Sequence, residues 1–499
     1  MAYIDIPKEI SSKEVLENGC NLSSNAYKKL LMKNANFKIL RELLARDLKR
    51  SDLGVEVGSL SYVPKSPFTF MRAKALQEYS FLPEITDESL LYILPQSFVN
   101  MDLKKGDVII SKDSNIGEIV ILEKDYPNTM LSGAMYKLPL AQHKYYILAV
   151  IKHRIFRDQL DFIVPKGATI RHAKQLFLEC KIPFPNYNVE QTIAFIETLV
   201  QSIIIKEKLI KERHTKILNL IESELLNNQK SNAFCYAYPT FKELQESGRL
   251  DTGIYCEEFK KIDFLIKNYK NDYQSFSELN LDISRGQNLQ ESCIGKSIYS
   301  DIYQRNFYSL ALPTHFSQYG TINKMLYFGN SNTLKILKQG EIVFGAEGTF
   351  RSIVVIGEVE KFITNIHGIT LYKNDLTESI FIKLFMDFLT EKRFIDFIKV
   401  GGHGGSLAQK YWNLIPFPNF PKNLQEQIAL LYHNPSTKLD YENLNLENFK
   451  IQDETFCENA GIYELDKSIK HLKSILNSCI DDIVNDREVV ISFQETNYY

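Results

Sequence analysis

The sequence predicts an α+β protein made of two tandem α/β domains, with long spacer helices that pair as an antiparallel coiled coil. Three observations predict this fold class: a set of motifs that occurs twice in the same order, short β-branched runs within each copy, and long helical periodicity after each copy. With 499 residues, the chain is long enough for two large domains that each bury a core.

The repeat has three landmarks, and each recurs 228 to 234 positions later. The landmarks are Ile182–Tyr187 with Ile415–Phe420, Gly106–Ser111 with Gly340–Gly345, and Leu22 and Tyr27 with Leu250 and Tyr255. The first of these reads Ile-Pro-Phe-Pro-Asn-aromatic in both copies and is followed by a Glu-Gln pair. Three ordered matches at nearly constant spacing predict two copies of one unit of about 230 residues.

Within each copy, β-branched runs separated by turn residues predict the hairpins of a sheet. These runs are residues 107–110 and 118–122 in the first copy, and 341–344 and 352–356 in the second. A helical segment is predicted from Glu378 to Val400. The Ile-Pro-Phe-Pro connectors predict a hinge of extended chain, because proline removes backbone donors and disfavours helix before it.

A long helix is predicted after the first connector, from about Val189 to Asn227, where neither Gly nor Pro occurs. Its length of about 58 Å at 1.5 Å per residue is typical of a coiled-coil seam. Polar Glu207 and His214 interrupt its apolar stripe, which consists of Ile193, Ile196, Val200, Ile203, Ile210, Ile217 and Ile221. The five basic residues between Lys206 and Lys216 are interpreted as a solvated helix face or a phosphate contact.

The helix after the second connector is predicted in two parts. It begins near Leu424, is interrupted by a polar stretch from Pro435 to Gly461, and resumes. The resumed part has apolar residues at helical spacing, namely Leu465, Ile469, Leu472, Leu476, Ile480 and Ile483. We expect the two long helices to pair with each other; packing of each helix on its own domain is the alternative.

Composition narrows the class of protein. The formal net charge of −2 argues against a globally basic nucleic-acid coat protein but leaves local basic patches open. Seven scattered cysteines without a C-x-x-C pair indicate neither a zinc site nor a disulfide framework. No apolar run reaches the roughly 18–20 residues that span a bilayer, and the first residues do not resemble a secretion signal. We therefore expect a cytoplasmic protein.

Catalytic signatures are missing from the sequence. It contains no phosphate-binding P-loop, no strand-associated G-x-G-x-x-G, and no Asn/Asp-Pro-Pro-aromatic motif of an amino-methyltransferase. Glu358–Lys361 approaches the carboxylate-x-lysine pattern of a nuclease without matching it. A chain with two similar domains and no such constellation is predicted to bind rather than to catalyse, and no metal site is expected.

Polar and basic residues on the predicted loops are candidates for DNA contacts, because these side chains can read base edges or hold phosphates. The alternative is that loops are polar simply because they face water. The candidates in the first copy are Arg72, Lys74, Lys112, Ser114, Asn115, Arg171, His172 and Lys174. Those in the second copy are Arg285, Gln287, Asn288, Thr349, Arg351, His403, Ser406 and Lys410.

The duplicated motifs resemble those of the specificity (S) subunits of Type I restriction–modification systems and of related Type IIB-like systems. The marks are the strand Gly106–Ser111, the two connectors with their Glu-Gln pairs, and the segment Arg249–Tyr255. The chain departs from the family pattern in the interruption of its second helix, and in connectors that end in Asn-aromatic where many members have Pro-Leu.

The resemblance implies a non-catalytic subunit that reads a bipartite double-stranded DNA site, with the paired helices setting the gap between half-sites. It implies two partner adenine-N6 methyltransferase subunits, which use S-adenosylmethionine, and in full systems a motor-nuclease subunit. This chain itself would hold no cofactor. The implied division is a target-recognition domain at 1–187, a spacer helix at 188–230, a second target-recognition domain at 231–421, and a second spacer region at 422–499 with an insertion at about 435–461.

Two other functions stay open from the sequence alone. One is a diverged DNA-modifying or DNA-cleaving enzyme whose site is not recognisable. The other is a coiled-coil scaffold that binds protein rather than DNA.

Overall fold

The computed structural model describes residues 3–17, 19–22, 27–164, 174–348, 350–357, 361–401 and 405–494. The chain divides into two compact units. The first unit comprises residues 1–209, 439–458 and 465–499, and the second comprises residues 210–438 and 459–464. Each unit mixes helices and strands, so the predicted α+β class is confirmed.

The first unit contains short strands followed by two helices. In chain order its elements are β1 (Ile4–Asp5), α1 (Ser12–Glu17), β2 (Lys29–Leu30), β3 (Phe37–Ile39), β4 (Thr69–Met71), β5 (Leu90–Tyr92), β6 (Val108–Ser111), β7 (Ile119–Ile121), β8 (Thr129–Leu131), β9 (Met135–Leu138), α2 (Lys144–Lys152), α3 (Arg154–Ile163) and β10 (Lys181–Pro183).

Two three-stranded sheets form the centre of the first unit. Strand β6 lies between β7 and β9 and is antiparallel to both, while β4 lies between antiparallel β5 and parallel β8. Ile109, Val120, Leu131 and Met135 come from these sheets and share one buried core with Leu76. The β-branched runs at 107–110 and 118–122 therefore form strands, as predicted, because their side chains fill this core.

The helix α4 (Val189–Asn227) has the predicted bounds, with its first part in the first unit and its last part in the second. All seven apolar residues of the predicted stripe are buried. Glu207 and His214 are buried as well, although their polarity predicts an interruption of the buried stripe.

The second unit continues the chain with a longer set of elements. They are α5 (Phe241–Ser247), α6 (Glu257–Lys267), β11 (Tyr273–Ser275), β12 (Asp282–Arg285), α7 (Glu291–Ile294), β13 (Ile298–Ser300), β14 (Tyr308–Ala311), β15 (Leu326–Gly329), β16 (Ile342–Gly345), β17 (Ser352–Val354), β18 (Phe362–Thr364), β19 (Gly368–Tyr372), α8 (Leu376–Glu391), α9 (Phe394–Ile398), β20 (Pro416–Pro418) and α10 (Lys422–Tyr432).

The sheets of the second unit repeat those of the first. Strand β16 lies between antiparallel β17 and β19, and β14 lies between antiparallel β15 and parallel β18. Strands β12 and β13 extend these two sheets at one edge each. Because the two units share strand order, direction and chain order, the duplication read from the sequence is also present in the fold.

Both connectors form strands. Residues Lys181–Pro183 pair with β3, and Pro416–Pro418 pair with β11. The predicted extended conformation is correct, but the predicted hinge is wrong, because backbone pairing fixes both segments in a sheet. Prolines fit here because each strand has a partner on one side only, so a missing N–H breaks no second ladder.

The remaining helices are α11 (Phe449–Asn459) and α12 (Ile462–Val484). The six apolar residues predicted between Leu465 and Ile483 are all buried. Within the first unit α12 runs antiparallel to the start of α4, since Lys473 bonds Glu207 while Glu488, beyond the end of α12, bonds Asn188. Helix α11 lies within the stretch predicted as a polar interruption.

Candidate nucleic-acid interface

The candidate residues of the first unit surround Glu88 and the loop after β6. The Arg72 guanidinium donates to the Glu88 carbonyl oxygen at 3.3 Å, and the Lys74 ammonium lies 2.6 Å from the Glu88 carboxylate. Asn115 Nδ2 donates to the carbonyl of Leu76 at 3.5 Å, which brings the β6–β7 loop beside this segment. Arg72, Lys74 and Asn115 therefore share one surface region.

Two other candidates of the first unit have different surroundings. The Lys112 ammonium pairs with the neighbouring Asp113 carboxylate, and its side chain is only 17% exposed. Lys174 is exposed and adopts a left-handed backbone conformation with φ of 49°. Arg171 and His172 lie outside the described residues.

Ser114 and Asn115 also line a polar cavity of about 450 Å³. Its wall includes Arg157 and Glu118, whose side chains form an ion pair at 2.5 Å. Lys152 lies 3.4 Å from the same carboxylate, and burial lowers the pKa of this lysine to about 8. Because two cations hold Glu118, its carboxylate is committed to an internal network.

In the second unit, the end of β12 forms an exposed polar surface. Arg285 is exposed, and its carbonyl oxygen accepts a hydrogen bond from the Lys335 ammonium at 2.7 Å. The Lys335 backbone N–H donates to Gln287 Oε1 at 3.1 Å, and Gln287 Nε2 donates to the Asn288 carbonyl at 3.2 Å. The three candidates Arg285, Gln287 and Asn288 are therefore neighbours that Lys335 holds in place.

Contacts extend this surface to the β18–β19 turn. The Gly286 N–H donates to the carbonyl of Gly368, and the Gln287 N–H donates to that of Thr364. His367 lies in this turn, with its Nδ1 atom 3.0 Å from the Glu347 carboxylate. Ser406 joins the same region through a backbone bridge to Glu347. The structure thus brings Arg285, Gln287, Asn288 and Ser406 to one contiguous face.

Arg351 and Lys410 are placed by other contacts. The Arg351 guanidinium donates to the Phe316 carbonyl at 2.9 Å. Lys410 is exposed, its ammonium lies 4.7 Å from the centre of the Tyr411 ring, and it lines a separate cavity of about 760 Å³. Thr349 and His403 lie outside the described residues.

A matched pair of glycines occupies equivalent places in the two units and was missed in the sequence. The Gly54 N–H donates to the Met135 carbonyl at 3.0 Å, as the Gly286 N–H does to that of Gly368 at 2.9 Å. A Cβ atom on Gly54 would lie 2.0 Å from the Ser132 carbonyl oxygen, and one on Gly286 would lie 2.2 Å from that of Asn365. Their spacing of 232 positions, within the range of the other repeat landmarks, is the signal that could have identified them.

Lys335, Glu347 and His367 were also absent from the candidate set that the sequence supplies. Lys335 lies 50 positions from Arg285, and His367 lies 20 positions from Glu347, so only the fold reveals these neighbours. Among the described residues, no group of three or more His, Cys, Asp and Glu side chains could hold a metal ion. Within the same residues, no helix combines the length and the apolar character needed to cross a bilayer.

Comparison with known proteins gives matches in structure. No protein-family model and no curated protein sequence matches the chain. The fold is similar to the Type I restriction–modification S subunit of M. genitalium, at 13% identity over 90% of this chain and 95% of that one, with a TM-score of 0.35. It is similar to the HsdS subunit of Thermoanaerobacter tengcongensis, at 13% identity over 90% of this chain and 97% of that one, with a TM-score of 0.26.

A third similar structure is described as the structural basis of complex assembly and conformational transition of the Type I R-M system. It is 12% identical over 91% of this chain and 98% of that one, with a TM-score of 0.26.

Proposed function

We propose that this chain is the non-catalytic DNA sequence-recognition subunit of a restriction–modification complex. Each unit reads one half of a bipartite site in double-stranded DNA. The chain positions adenine-N6 methyltransferase subunits, expected in two copies, and in a full system a nuclease subunit. S-adenosylmethionine belongs to the methyltransferase, so this chain needs no cofactor of its own.

The observation that carries the proposal is a repeated scaffold with different side chains at equivalent positions. The Ser111 N–H donates to the carbonyl of Glu118, and the Gly345 N–H donates to that of Arg351, in the same hairpin of each unit. The side chains at these two positions are held internally, Glu118 by cations and Arg351 by the Phe316 carbonyl, so they belong to the scaffold. The candidate reading side chains on that scaffold differ between the units: Arg72, Lys74 and Asn115 in the first, and Arg285, Gln287 and Asn288 in the second. Likewise, Val55 follows the glycine of the first unit where Gln287 follows that of the second.

Constant backbone with variable polar groups is what reading two different half-sites requires. Base edges in the major groove differ in their pattern of donors and acceptors, so a changed side chain changes the base preferred. A conserved backbone keeps each reading surface in the same shape. The near-zero net charge is compatible with this role, because the partner subunits can supply much of the phosphate contact.

The decisive experiment maps N6-methyladenine in genomic DNA with and without the gene for this chain. We expect one two-part methylated motif to disappear on deletion and to return with the intact gene. A complementing gene that carries Arg285→Ala and Gln287→Ala should change only one half of the motif. Unchanged methylation in the deletion strain would refute the proposal.

A second measurement separates this role from the two alternatives. The purified chain with its methyltransferase partner is used to select from random DNA duplexes. Enrichment of a split sequence supports recognition, whereas binding of the partner without any enrichment favours a protein-binding scaffold. Methylation or cleavage of the duplexes by this chain alone would instead show a diverged enzyme.

A further inference from the structure

Helix α4 buries a carboxylate that the candidate interface does not include. Glu207 interrupts the apolar stripe of this helix in the sequence, yet only 8% of its side chain is exposed. It lies against residues 77–82 of the first unit, which we call the anchored segment. A buried carboxylate is tolerated only where hydrogen bonds and cations satisfy it, so its partners indicate what it does.

Glu207 joins the anchored segment to two helices of the first unit. Its Oε2 atom accepts from the Phe81 N–H at 2.8 Å and from the Ser80 hydroxyl at 3.2 Å. Its Oε1 atom accepts from the Lys473 ammonium of α12 at 2.8 Å. The same ammonium donates to the Tyr79 carbonyl oxygen at 2.5 Å and lies 5.8 Å from the centre of the Phe81 ring. One ion pair thus holds three consecutive residues of the segment.

The anchored segment is also fixed from the side of the sheet. The Phe81 carbonyl oxygen accepts from the Ile121 N–H of β7 at 2.9 Å. The Gln77 carbonyl oxygen accepts at 2.5 Å from the ammonium of Lys152, whose side chain is buried. Phe81 therefore links the carboxylate on α4 to the strand that follows the candidate loop between β6 and β7.

The segment supports candidate DNA contacts of the first unit. Gln77 Nε2 donates to the Lys74 carbonyl oxygen at 2.7 Å. Leu76 directly precedes the segment, and its carbonyl oxygen accepts from Asn115 Nδ2. A displacement of the segment would therefore be passed on to Lys74 and Asn115. Glu207 itself is buried beside the segment, so any effect of this residue on DNA recognition is exerted through the segment.

The second unit holds the corresponding segment on its helices with different side chains. Phe316 is the counterpart of the residue before the anchored segment, because each closes a 3-10 turn and accepts, at its carbonyl oxygen, a side-chain hydrogen bond from the central hairpin loop. Four residues later, the Gly320 carbonyl oxygen accepts from the Tyr432 hydroxyl of α10 at 2.6 Å. The Tyr319 ring lies 5.4 Å from the ring of His214 on α4. The same support thus recurs with unrelated side chains.

We propose that Glu207 is a positioning residue for base recognition by the first unit. It accepts from the Phe81 N–H and pairs with Lys473, and so keeps the anchored segment in the place that presents Lys74 and Asn115 to one half-site. The inference rests on the proposed function, in which the first unit reads that half-site.

The first measurement is discrimination between the target and its single-base variants, expressed as a ratio of kcat/KM values for methylation by the full chain with its methyltransferase partner. Glu207→Ala should lower this ratio about tenfold at the half-site of the first unit, as expected for loss of a buried hydrogen bond to a charged group. That half-site is the one that Arg285→Ala leaves unchanged. Glu207→Gln keeps an oxygen acceptor for Phe81 and should stay within about threefold of the wild type.

Hydrogen exchange of the purified full chain measures the anchoring without any methylation. The Phe81 amide should exchange faster in Glu207→Ala, because its acceptor is gone. Glu190→Ala is the matched control, since it removes an exposed carboxylate from the same helix. This control should alter neither the exchange of the Phe81 amide nor the discrimination at either half-site.

A second variant covers the case in which Glu207→Ala does not fold. Lys473→Met removes the hydrogen bond to Tyr79 and should lower discrimination at the same half-site about threefold. Lys467→Met removes an exposed ammonium from the same helix and should have no such effect.

Three results would overturn the inference. The first is unchanged discrimination at both half-sites in folded Glu207→Ala or Lys473→Met. The second is an equal loss at both half-sites, because that is the result of a merely structural role. The third is a loss in Glu207→Gln as large as in Glu207→Ala. Methylation by the wild-type complex without any sequence preference would instead refute the proposed function, and the positioning role with it, whereas the exchange of the Phe81 amide would still show whether Glu207 anchors the segment.

Discussion

Lys206 of α4 forms an ion pair with Asp453 of α11, and both side chains are almost completely removed from solvent. Ser202 completes the site, since its hydroxyl donates to Asp453 Oδ2 at 2.7 Å and accepts from the Lys206 ammonium at 2.6 Å. The Phe456 ring lies 5.8 Å from the same ammonium. Asp453 lies in the insertion that interrupts the second helix, and it is the only carboxylate among the described contacts of Lys206.

Replacing one member of this pair should be strongly destabilising. Asp453→Leu leaves a buried, uncompensated ammonium, and we expect a loss of about 3–5 kcal/mol in the free energy of unfolding. The double variant Lys206→Met with Asp453→Leu removes both charges and should recover most of that loss. Urea unfolding followed by circular dichroism measures both effects; a cost below about 1 kcal/mol for the single variant would contradict the prediction.

The matched glycines give a second prediction about stability. Gly54→Ala and Gly286→Ala each place a Cβ atom against a backbone carbonyl that belongs to a paired turn, so we expect each to cost about 1–3 kcal/mol. Gly58→Ala is the control, because its Cβ would meet no atom within 4 Å. That change should alter stability by less than about 0.5 kcal/mol. Equal melting temperatures for all three variants would refute the argument.

We expect base recognition by the second unit to depend on Arg285. Arg285→Ala should relax the preference at one base pair of one half-site, with about 1–3 kcal/mol lost in discrimination. The other half-site should be read as before. Arg305→Ala removes the same charge from another exposed position in this unit and should leave base preference unchanged. Methylation of a target library with each position randomised gives the readout, and a uniform loss across all positions would indicate a phosphate contact instead.

We expect His153 to make the first unit sensitive to acid. Burial lowers the pKa of this histidine to about 3 from an ordinary value of 6.5, and its Nδ1 accepts from the Ile155 N–H at 3.3 Å. The unfolded chain therefore binds a proton below pH 6.5 that the folded chain does not, and stability falls as pH drops through the range from 6.5 to about 3.

We expect the wild-type chain to lose about 2 kcal/mol more than His153→Asn between pH 7.5 and pH 5. Asparagine keeps a side-chain acceptor for Ile155 but cannot be protonated in this range. Unfolding free energies at the two pH values provide the measurement. The same pH dependence in both proteins would show that other groups cause the acid sensitivity.

Periodic and duplicated features were predictable from the sequence. The bounds of α4 follow from a segment without Gly or Pro that carries apolar residues at helical spacing, and the hairpins around Ile109 and Val343 follow from β-branched runs. The polar side chains that the fold buries were not predictable. Lys206 belongs to a basic run that reads as a solvated face, and only its distant partner Asp453 makes burial possible.

Helix α11 was not predicted for the same reason, namely that the fold buries a polar side chain. Its buried face contains Asp453 together with Phe449, Phe456 and Cys457, so a charge lies where helical periodicity requires an apolar residue. At the candidate interface, the sequence supplied polar loop residues but not their grouping. His367 joins that surface through the pairing of β12 with β19, and Lys335 joins it through hydrogen bonds to Arg285 and Gln287. No local sequence pattern encodes these contacts between distant segments.

The pairing of β3 with β10, and of β11 with β20, means that the chain enters and leaves each sheet system through adjacent strands. The two ends of the segment that contains most of a unit's strands thus lie side by side at one pair of strands, which we call the seam. The segment between the paired strands runs roughly from Leu40 to Cys180 in the first unit and from Phe276 to Ile415 in the second. Replacing it with the corresponding segment of a related protein would require a match only at these paired strands. Under the proposed function, a protein with this construction would acquire a new half-site preference by exchange of one segment while its long helices stay unchanged.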